Sequence, residues 1–392
     1  MPSNFQVSFH SELESGLRGL EAQSRRRSLA EIRGVNFCSN DYLGLAEHPA
    51  LKKAVAEAVQ RATRTGGMGS RLLSGQATAW QEIEEEFARF AGTEAALYFG
   101  SGYAANLGLL TSLLKKEDLV FSDALNHASL IDGMRFSGAR KFIYPHLDLN
   151  VLEAGLRNHA QDRCRKLIVT ETVFSMDGDV APVTELLALA DRHGAGVIVD
   201  EAHATGVHGP SGRGIASEHG NMQYLAAAVH TCGKALASAG AFVCGSAVLK
   251  EHLINHARTF IFSTAMPPYM AEQIRAALQL ALAMDKGREE LLARSKRLAA
   301  GLRSQGWDTG NSTTQIVPVV IGENEETLAA AEFLQQEGFA VRAIRPPTVP
   351  QGSARLRFSL TCRIAEAEIM RLENCMNAWR DHAHRSAAVG RA

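Results

Sequence analysis

The residues best suited to chemistry stand just past short apolar runs. Gly196–Val199 leads into Asp200-Glu-Ala-His203, and Ala226–His230 leads into Thr231-Cys-Gly-Lys234. An aspartate at the end of a buried strand, a histidine three residues on, and a lysine beyond the next strand fit one specific chemistry. A lysine amine condenses with the aldehyde of pyridoxal phosphate. Asp200 would keep the pyridine nitrogen protonated, because a pyridinium in a sheet-end pocket needs a counter-ion. His127, past the run Leu119–Ser122, offers a flat ring to cover one face of that cofactor. Gly102 and Tyr103 follow the run Ala95–Phe99 and open a helix, whose first backbone amides suit a phosphate. Thr231 adds a hydroxyl near the lysine.

Taken singly, each residue says little. His127 alone reads as a structural histidine, and Lys234 alone as a surface lysine. Gly100-Ser-Gly102-Tyr-Ala-Ala105 matches the loose GxGxxA pattern of nicotinamide-dependent enzymes, a match that recurs by chance. Asp200-Glu-Ala-His203 spells the DEAH string of nucleic-acid helicases. Those need a GxxxxGK[ST] phosphate loop, and here Ala228 and Ala235 break it around Gly233-Lys234. The order of the set carries the reading.

The elements that must position these residues alternate. Helical spacing predicts a lead-in helix over Ser11–Leu20, a second from Pro49 and a third over 78–91, with a glycine-rich stretch, Thr65–Gly75, too irregular for either element. Strands are expected at 95–99, 119–122, 141–144, 166–171, 196–200, 226–230 and 241–248, with a helix at 183–193. Strand, helix, strand at this spacing implies a parallel sheet. A long helix over 268–302 then leads to strands at 316–321, 340–344 and 355–360, helices at 326–337 and 364–379, and a frayed tail. The expected fold is α/β: a large domain with a mostly parallel sheet flanked by helices, plus a smaller α+β C-terminal domain. The boundaries are an N-terminal segment 1–45, a large domain 46–285, a small domain 286–385 and a tail 386–392.

Composition excludes other classes. The 392 residues carry 41 Lys+Arg against 42 Asp+Glu, a formal charge of -1, so no global basic field exists for nucleic acid or an anionic membrane. The N-terminus lacks the basic and apolar regions of a signal peptide, and the most apolar stretch, 95–114, is broken by glycines and Asn106. Six scattered cysteines without a CxxC pair argue against zinc and disulfides. These features predict a cytoplasmic enzyme without a metal.

Several strings sharpen the expectation. NDYLGL (40–45), GSRLLSG (69–75), NHASL (126–130), ETVFSMDGD (171–179), VDEAHATGVHGPSGRG (199–214) and TCGKAL (231–236) resemble the α-oxoamine synthases, which are fold-type-I pyridoxal-phosphate enzymes. AIRPPTVPQGSARLRFSLT (343–361) resembles the branch that condenses L-alanine with a pimeloyl thioester in biotin biosynthesis. The resemblance implies pyridoxal phosphate as cofactor, held on Lys234. It implies that Asp200 pairs the pyridine nitrogen, His203 contacts the ring hydroxyl and His127 stacks on the ring. Ser175, Thr231 and Gly102-Tyr103 complete the implied set. Arg357 is implied to hold the amino-acid carboxylate. Alternation in Arg355-Leu-Arg357-Phe-Ser-Leu360 puts both arginines on one strand face and does not choose between them. Thr348 and one of Arg25–Arg27, most simply Arg25, resemble acyl-substrate positions, although that run also reads as a solvated charge cluster. The implied partners are L-alanine, pimeloyl-CoA or pimeloyl-acyl-carrier protein, and a second copy in a homodimer.

Two departures stand out: Trp80 occupies a position where the family carries histidine, and Ala237 one where glycine is common. Within the same chemistry, a glycine C-acetyltransferase stays open. A non-catalytic partner subunit of this fold is expected to lack the lysine, and Lys234 is present.

Overall fold

Apolar runs with no polar side must be covered twice, and here they stack into one sheet. The computed structural model describes residues 4–218 and 224–389. In chain order the described elements are α1 (Asn4–Ala22), β1 (Val35–Asn36), α2 (Pro49–Arg61), α3 (Thr78–Ala91), β2 (Ala95–Phe99), α4 (Gly102–Leu113), β3 (Leu119–Asp123), α5 (Ala128–Ser137), β4 (Arg140–Tyr144), α6 (Leu149–Asn158), β5 (Lys166–Glu171) and α7 (Val183–His193). There follow β6 (Gly196–Asp200), β7 (Leu225–Thr231), β8 (Ala241–Gly245), α8 (Ala247–His256), α9 (Arg258–Ile261), α10 (Tyr269–Leu282), α11 (Asp285–Ser304), β9 (Ile316–Gly322), α12 (Asn324–Gln336), β10 (Phe339–Ala340), β11 (Ala343–Ile344), β12 (Ala354–Ser359) and α13 (Glu366–Val389).

The large sheet has the order β2-β8-β7-β6-β5-β3-β4, with β8 antiparallel to both neighbours and the other pairings parallel. Strand alternation divides its side chains between two cores. Tyr98, Phe121, Ile168, Val199 and Phe242 join one core, while Phe99, Val120, Val169, Ile198 and Val243 join the other. A smaller antiparallel sheet has the order β11-β12-β9, and β1 pairs with β10, tying the N-terminal segment to the C-terminal region. The carboxyl ends of β2, β3, β5, β6 and β7 meet at one edge of the large sheet, where open parallel sheets hold ligands.

The structure corrects several expected elements. The strand expected over 241–248 stops at Gly245, because the Ser246 hydroxyl accepts from Leu249 N–H and caps α8. The single helix expected over 268–302 is two, α10 and α11, separated at Ala283-Met284. The strand expected over 340–344 divides: Phe339–Ala340 pairs with β1, and Ala343–Ile344 pairs with β12. The glycine-rich stretch closes with a π-helical turn at Arg71–Gly75. The alanine-containing tail continues α13 to Val389 instead of fraying after Trp379, consistent with alanine's helix preference; residues 390–392 lie outside the described residues. Among the described residues no helix is long and apolar enough to cross a membrane.

Candidate active site

The strand ends enclose a cavity of about 400 Å³, lined by residues that include Gly102, His127, Asp200, His203, Thr231 and Lys234. Asp200, the last residue of β6, is buried on its floor. One carboxylate oxygen accepts from Asn106 Nδ2 at 2.7 Å, and the other from the Ala202 N–H at 2.8 Å. Asn106 also donates to the Ser129 hydroxyl at 2.9 Å, which lies 2.8 Å from His127 Nδ1. His127 caps α5, its Nδ1 accepting from Ser129 N–H. A polar chain therefore runs from the floor aspartate to the histidine at the cavity mouth.

Lys234 follows β7 in the turn that its carbonyl closes by accepting from Ala237 N–H at 2.9 Å, and its side-chain amine makes no hydrogen bond or ion pair among the described residues. Burial holds its pKa below the ordinary lysine value; Asp200 and Glu171 pull it upward, and Arg357 pushes it down. Burial drives the Glu171 carboxyl well above its ordinary value, helped by Asp200 and opposed by Lys234. Glu171 ends β5, with one carboxyl oxygen unpartnered. Burial also lowers the pKa of His127 and, with Lys234, Arg357 and His127 nearby, holds His203 well below its ordinary value.

The glycine of α4 has a steric reason. A Cβ at Gly102 would lie 2.7 Å from Thr231 Cγ2, closing the cleft between the helix end and β7. Ser101 caps this helix through its hydroxyl, which accepts from Ala104 N–H at 3.1 Å, and leaves the helix N-terminus facing the cavity. Tyr103 is half exposed and donates through its hydroxyl to Asp132. The donor set fits pyridoxal phosphate. An unpaired amine suits the aldehyde, a buried carboxylate with an orphaned Asn106 Oδ1 beside it suits a ring N–H, and a glycine-opened helix end suits the phosphate.

The two arginines of β12 lie on one face, as alternation predicts, but differ in charge balance. Arg355 is ion-paired with Asp177 at 2.5 Å. Arg357 is 8% exposed and makes no ion pair among the described residues. Its Nε donates to Ser175 O at 2.5 Å, its terminal nitrogens to Asn40 Oδ1 at 3.2 Å each, and Nη1 to Ser359 Oγ at 2.7 Å. A buried guanidinium without an acid is costly until an anion arrives. Arg357 is therefore the member of the pair whose charge has no acid beside it among the described residues.

Ser175 does not line the main cavity; it lines an adjoining one of about 600 Å³ with His127 and Thr348. Of the N-terminal arginines, Arg25 and Arg27 close on the segment 345–348, and Arg26 pairs with Glu21. Arg27, not Arg25, reaches the Thr348 hydroxyl, at 3.4 Å; Arg25 donates to Pro346 O at 3.2 Å.

Some functional neighbours carried no assigned role in the sequence. Asn40 and Tyr42 lie in the string NDYLGL, and Asn106 falls one helical turn after Gly102. His146 bridges two buried carboxylates, Asp123 at 2.8 Å and Asp179 at 2.9 Å, and joins the end of β3 to the loop after Ser175. The departures lie behind the cavity wall. Buried Trp80 stacks on Tyr98 at 4.2 Å, and Tyr98 donates to Ala239 O. Ala237 has φ +42°, a backbone region that glycine enters more readily than alanine.

Residues 32–373 match the family model for aminotransferase class I and II. An 8-amino-7-oxononanoate synthase of Geobacter sulfurreducens is 48% identical, with 92% of each chain covered. A protein of the same name from Burkholderia thailandensis is 47% identical, covering 92% of this chain and 96% of the relative. Among solved structures, a serine palmitoyltransferase from S. paucimobilis with bound PLP and myriocin superposes with a TM-score of 0.87 at 28% identity, covering 98% of this chain and 99% of that one. An 8-amino-7-oxononanoate synthase from Francisella tularensis gives a TM-score of 0.78 at 27% identity, covering 90% of this chain and 99% of that one.

Proposed function

The chain belongs to the aminotransferase class I and II family, and we propose that it is a pyridoxal-phosphate enzyme that condenses L-alanine with a pimeloyl thioester. The products are 8-amino-7-oxononanoate, carbon dioxide and the free thiol of CoA or acyl-carrier protein, a step of biotin biosynthesis. The observation that carries the reading is the unpaired Lys234 amine, in one cavity with the buried Asp200 carboxylate and near the uncountered Arg357.

Lys234 would hold the cofactor aldehyde, Asp200 the ring nitrogen, and His203 the ring oxygen. His127 would cover the ring; Thr231 and Ser175 would hydrogen-bond the cofactor; Gly102 and Tyr103 would place the phosphate. When bound, pyridoxal phosphate supplies an electron sink for charge developing at the amino acid Cα. Arg357 binds the alanine carboxylate through its planar fork and fixes which Cα bond faces Lys234. Lys234, its pKa lowered by burial, is suited to take the Cα proton at Nζ. His127 stands where the main cavity meets the larger one, placed to orient the thioester carbonyl. Thr348 and one of Arg25 or Arg27 border the acyl path. The unit 46–285 would hold the cofactor and the unit 286–385 would carry Arg357. The working form is a homodimer in the cytoplasm.

The reading is tested by turnover. Purified protein loaded with pyridoxal phosphate is given L-alanine, glycine or L-serine with pimeloyl-CoA or acetyl-CoA, and free thiol is followed. Thiol release with L-alanine and pimeloyl-CoA, and 8-amino-7-oxononanoate by mass, is the expected result. Preference for glycine and acetyl-CoA would replace it with a glycine C-acetyltransferase.

A further inference from the structure

A neutral histidine carries one N–H, and the nitrogen that holds it decides what the ring offers a ligand. His203 is buried, Nδ1 lies 2.6 Å from the Tyr42 hydroxyl oxygen, and the ring lines the main cavity. Its backbone carbonyl accepts from Gln315 Nε2 at 2.8 Å, which holds this part of the chain beside the small sheet.

Tyr42 is completely buried; its hydroxyl hydrogen-bonds Asn40, His203 and Arg357, and the Gln315 amide and Ser359 hydroxyl also stand close to it as donors. Arg357 Nη2, at 3.4 Å, can only donate, so the phenol oxygen accepts from it and must send its own proton elsewhere. The two acceptors are Asn40 Oδ1 at 3.1 Å and His203 Nδ1 at 2.6 Å. Asn40 Oδ1 already receives both terminal nitrogens of Arg357 and, at 3.4 Å, the Ser359 hydroxyl. A carbonyl oxygen has two lone pairs, so the nearer and less crowded acceptor is the imidazole.

We propose that Tyr42 is a positioning residue that donates to His203 Nδ1, locking the ring as the Nε2–H tautomer with a donor available to the cavity. Resting on the proposed function, this donor would meet the ring oxygen of pyridoxal phosphate and favour its anionic form. The opposite tautomer would present a lone pair to that oxygen and repel it. The same phenol joins the carboxylate-binding arginine to the histidine that serves the cofactor.

The test reads the histidine itself. Long-range proton–nitrogen spectra are recorded on the [15N]histidine-labelled holoenzyme, with His203 assigned by His203→Gln. The expected result is a neutral ring protonated at Nε2. In Tyr42→Phe, which keeps the ring volume, the signal becomes a mixture of tautomers, and the pH midpoint of the bound cofactor's visible band shifts. A wild-type ring protonated at Nδ1, or a His203 signal unchanged in Tyr42→Phe, overturns the proposal. The wild-type result stands even if Tyr42→Phe fails to fold. A protein that takes up no pyridoxal phosphate sinks the proposed function, and the tautomer is still read from the histidine signals.

Discussion

Replacing His146 by glutamine removes one charge and keeps an amide that can still donate to one of the two carboxylates. In the wild type the ring bridges Asp123 and Asp179 and meets the Phe174 edge at 4.4 Å. Burial alone would lower its pKa, but the two carboxylates outweigh that and raise it from 6.5 to about 10. Such a rise corresponds to about 5 kcal/mol as an upper limit. The ring is 22% exposed, and solvent screening reduces the contribution to about 2–3 kcal/mol. Because the folded value lies above the unfolded one, the stabilisation is fully present below about pH 6.5, declines as pH rises, and is lost above about pH 10. Urea unfolding of wild type and His146→Gln at several pH values reads this directly. The stability gap is expected to be about 2–3 kcal/mol near pH 6 and to shrink to under about 0.5 kcal/mol above pH 10. A gap that is independent of pH, or absent near pH 6, would refute the charged bridge.

Asp200→Asn keeps the side-chain shape and the Asn106 contact but removes the counter-charge. Turnover is expected to fall by about a hundred- to a thousandfold, while the visible band shows cofactor still bound; near-normal turnover would count against its role. Arg357→Lys replaces the fork by a point charge, and KM for L-alanine should rise about ten- to a hundredfold, more than KM for the thioester; equal changes in both would remove the carboxylate assignment. Ala237→Gly relieves a left-handed backbone, so its urea midpoint should equal or exceed wild type. A loss of about 1 kcal/mol, the usual cost of glycine at an ordinary position, would show that φ +42° carries no strain.

The floor of the site was readable because it sits where geometry is simple. Asp200 and Lys234 follow runs such as Val197–Val199 and Ala227–Val229, and strands buried on both faces converge at their carboxyl ends. The choice of Arg357 over Arg355 was not readable locally, since it depends on Asp177 neutralising Arg355 from the loop after β5. His146 lies in a loop without a motif, and its partners come from the end of β3 and from the loop after β5. Tyr42 stood in a recognisable string, yet its role appears only when β12 brings Arg357 beside it. The strand at 340–344 was misjudged because its two halves answer to different partners, β1 and β12, one of them hundreds of positions away in the chain. Similarly, the helix break at Ala283-Met284 carries neither glycine nor proline to mark it.

The central claim is that the cavity at the strand ends holds pyridoxal phosphate on Lys234. Borohydride reduction of the loaded protein, followed by peptide mass mapping, tests it most directly. One pyridoxyl group per chain on the peptide containing Lys234, absent from Lys234→Ala, is the predicted result. A pyridoxyl group on another lysine, or none at all, would contradict the account.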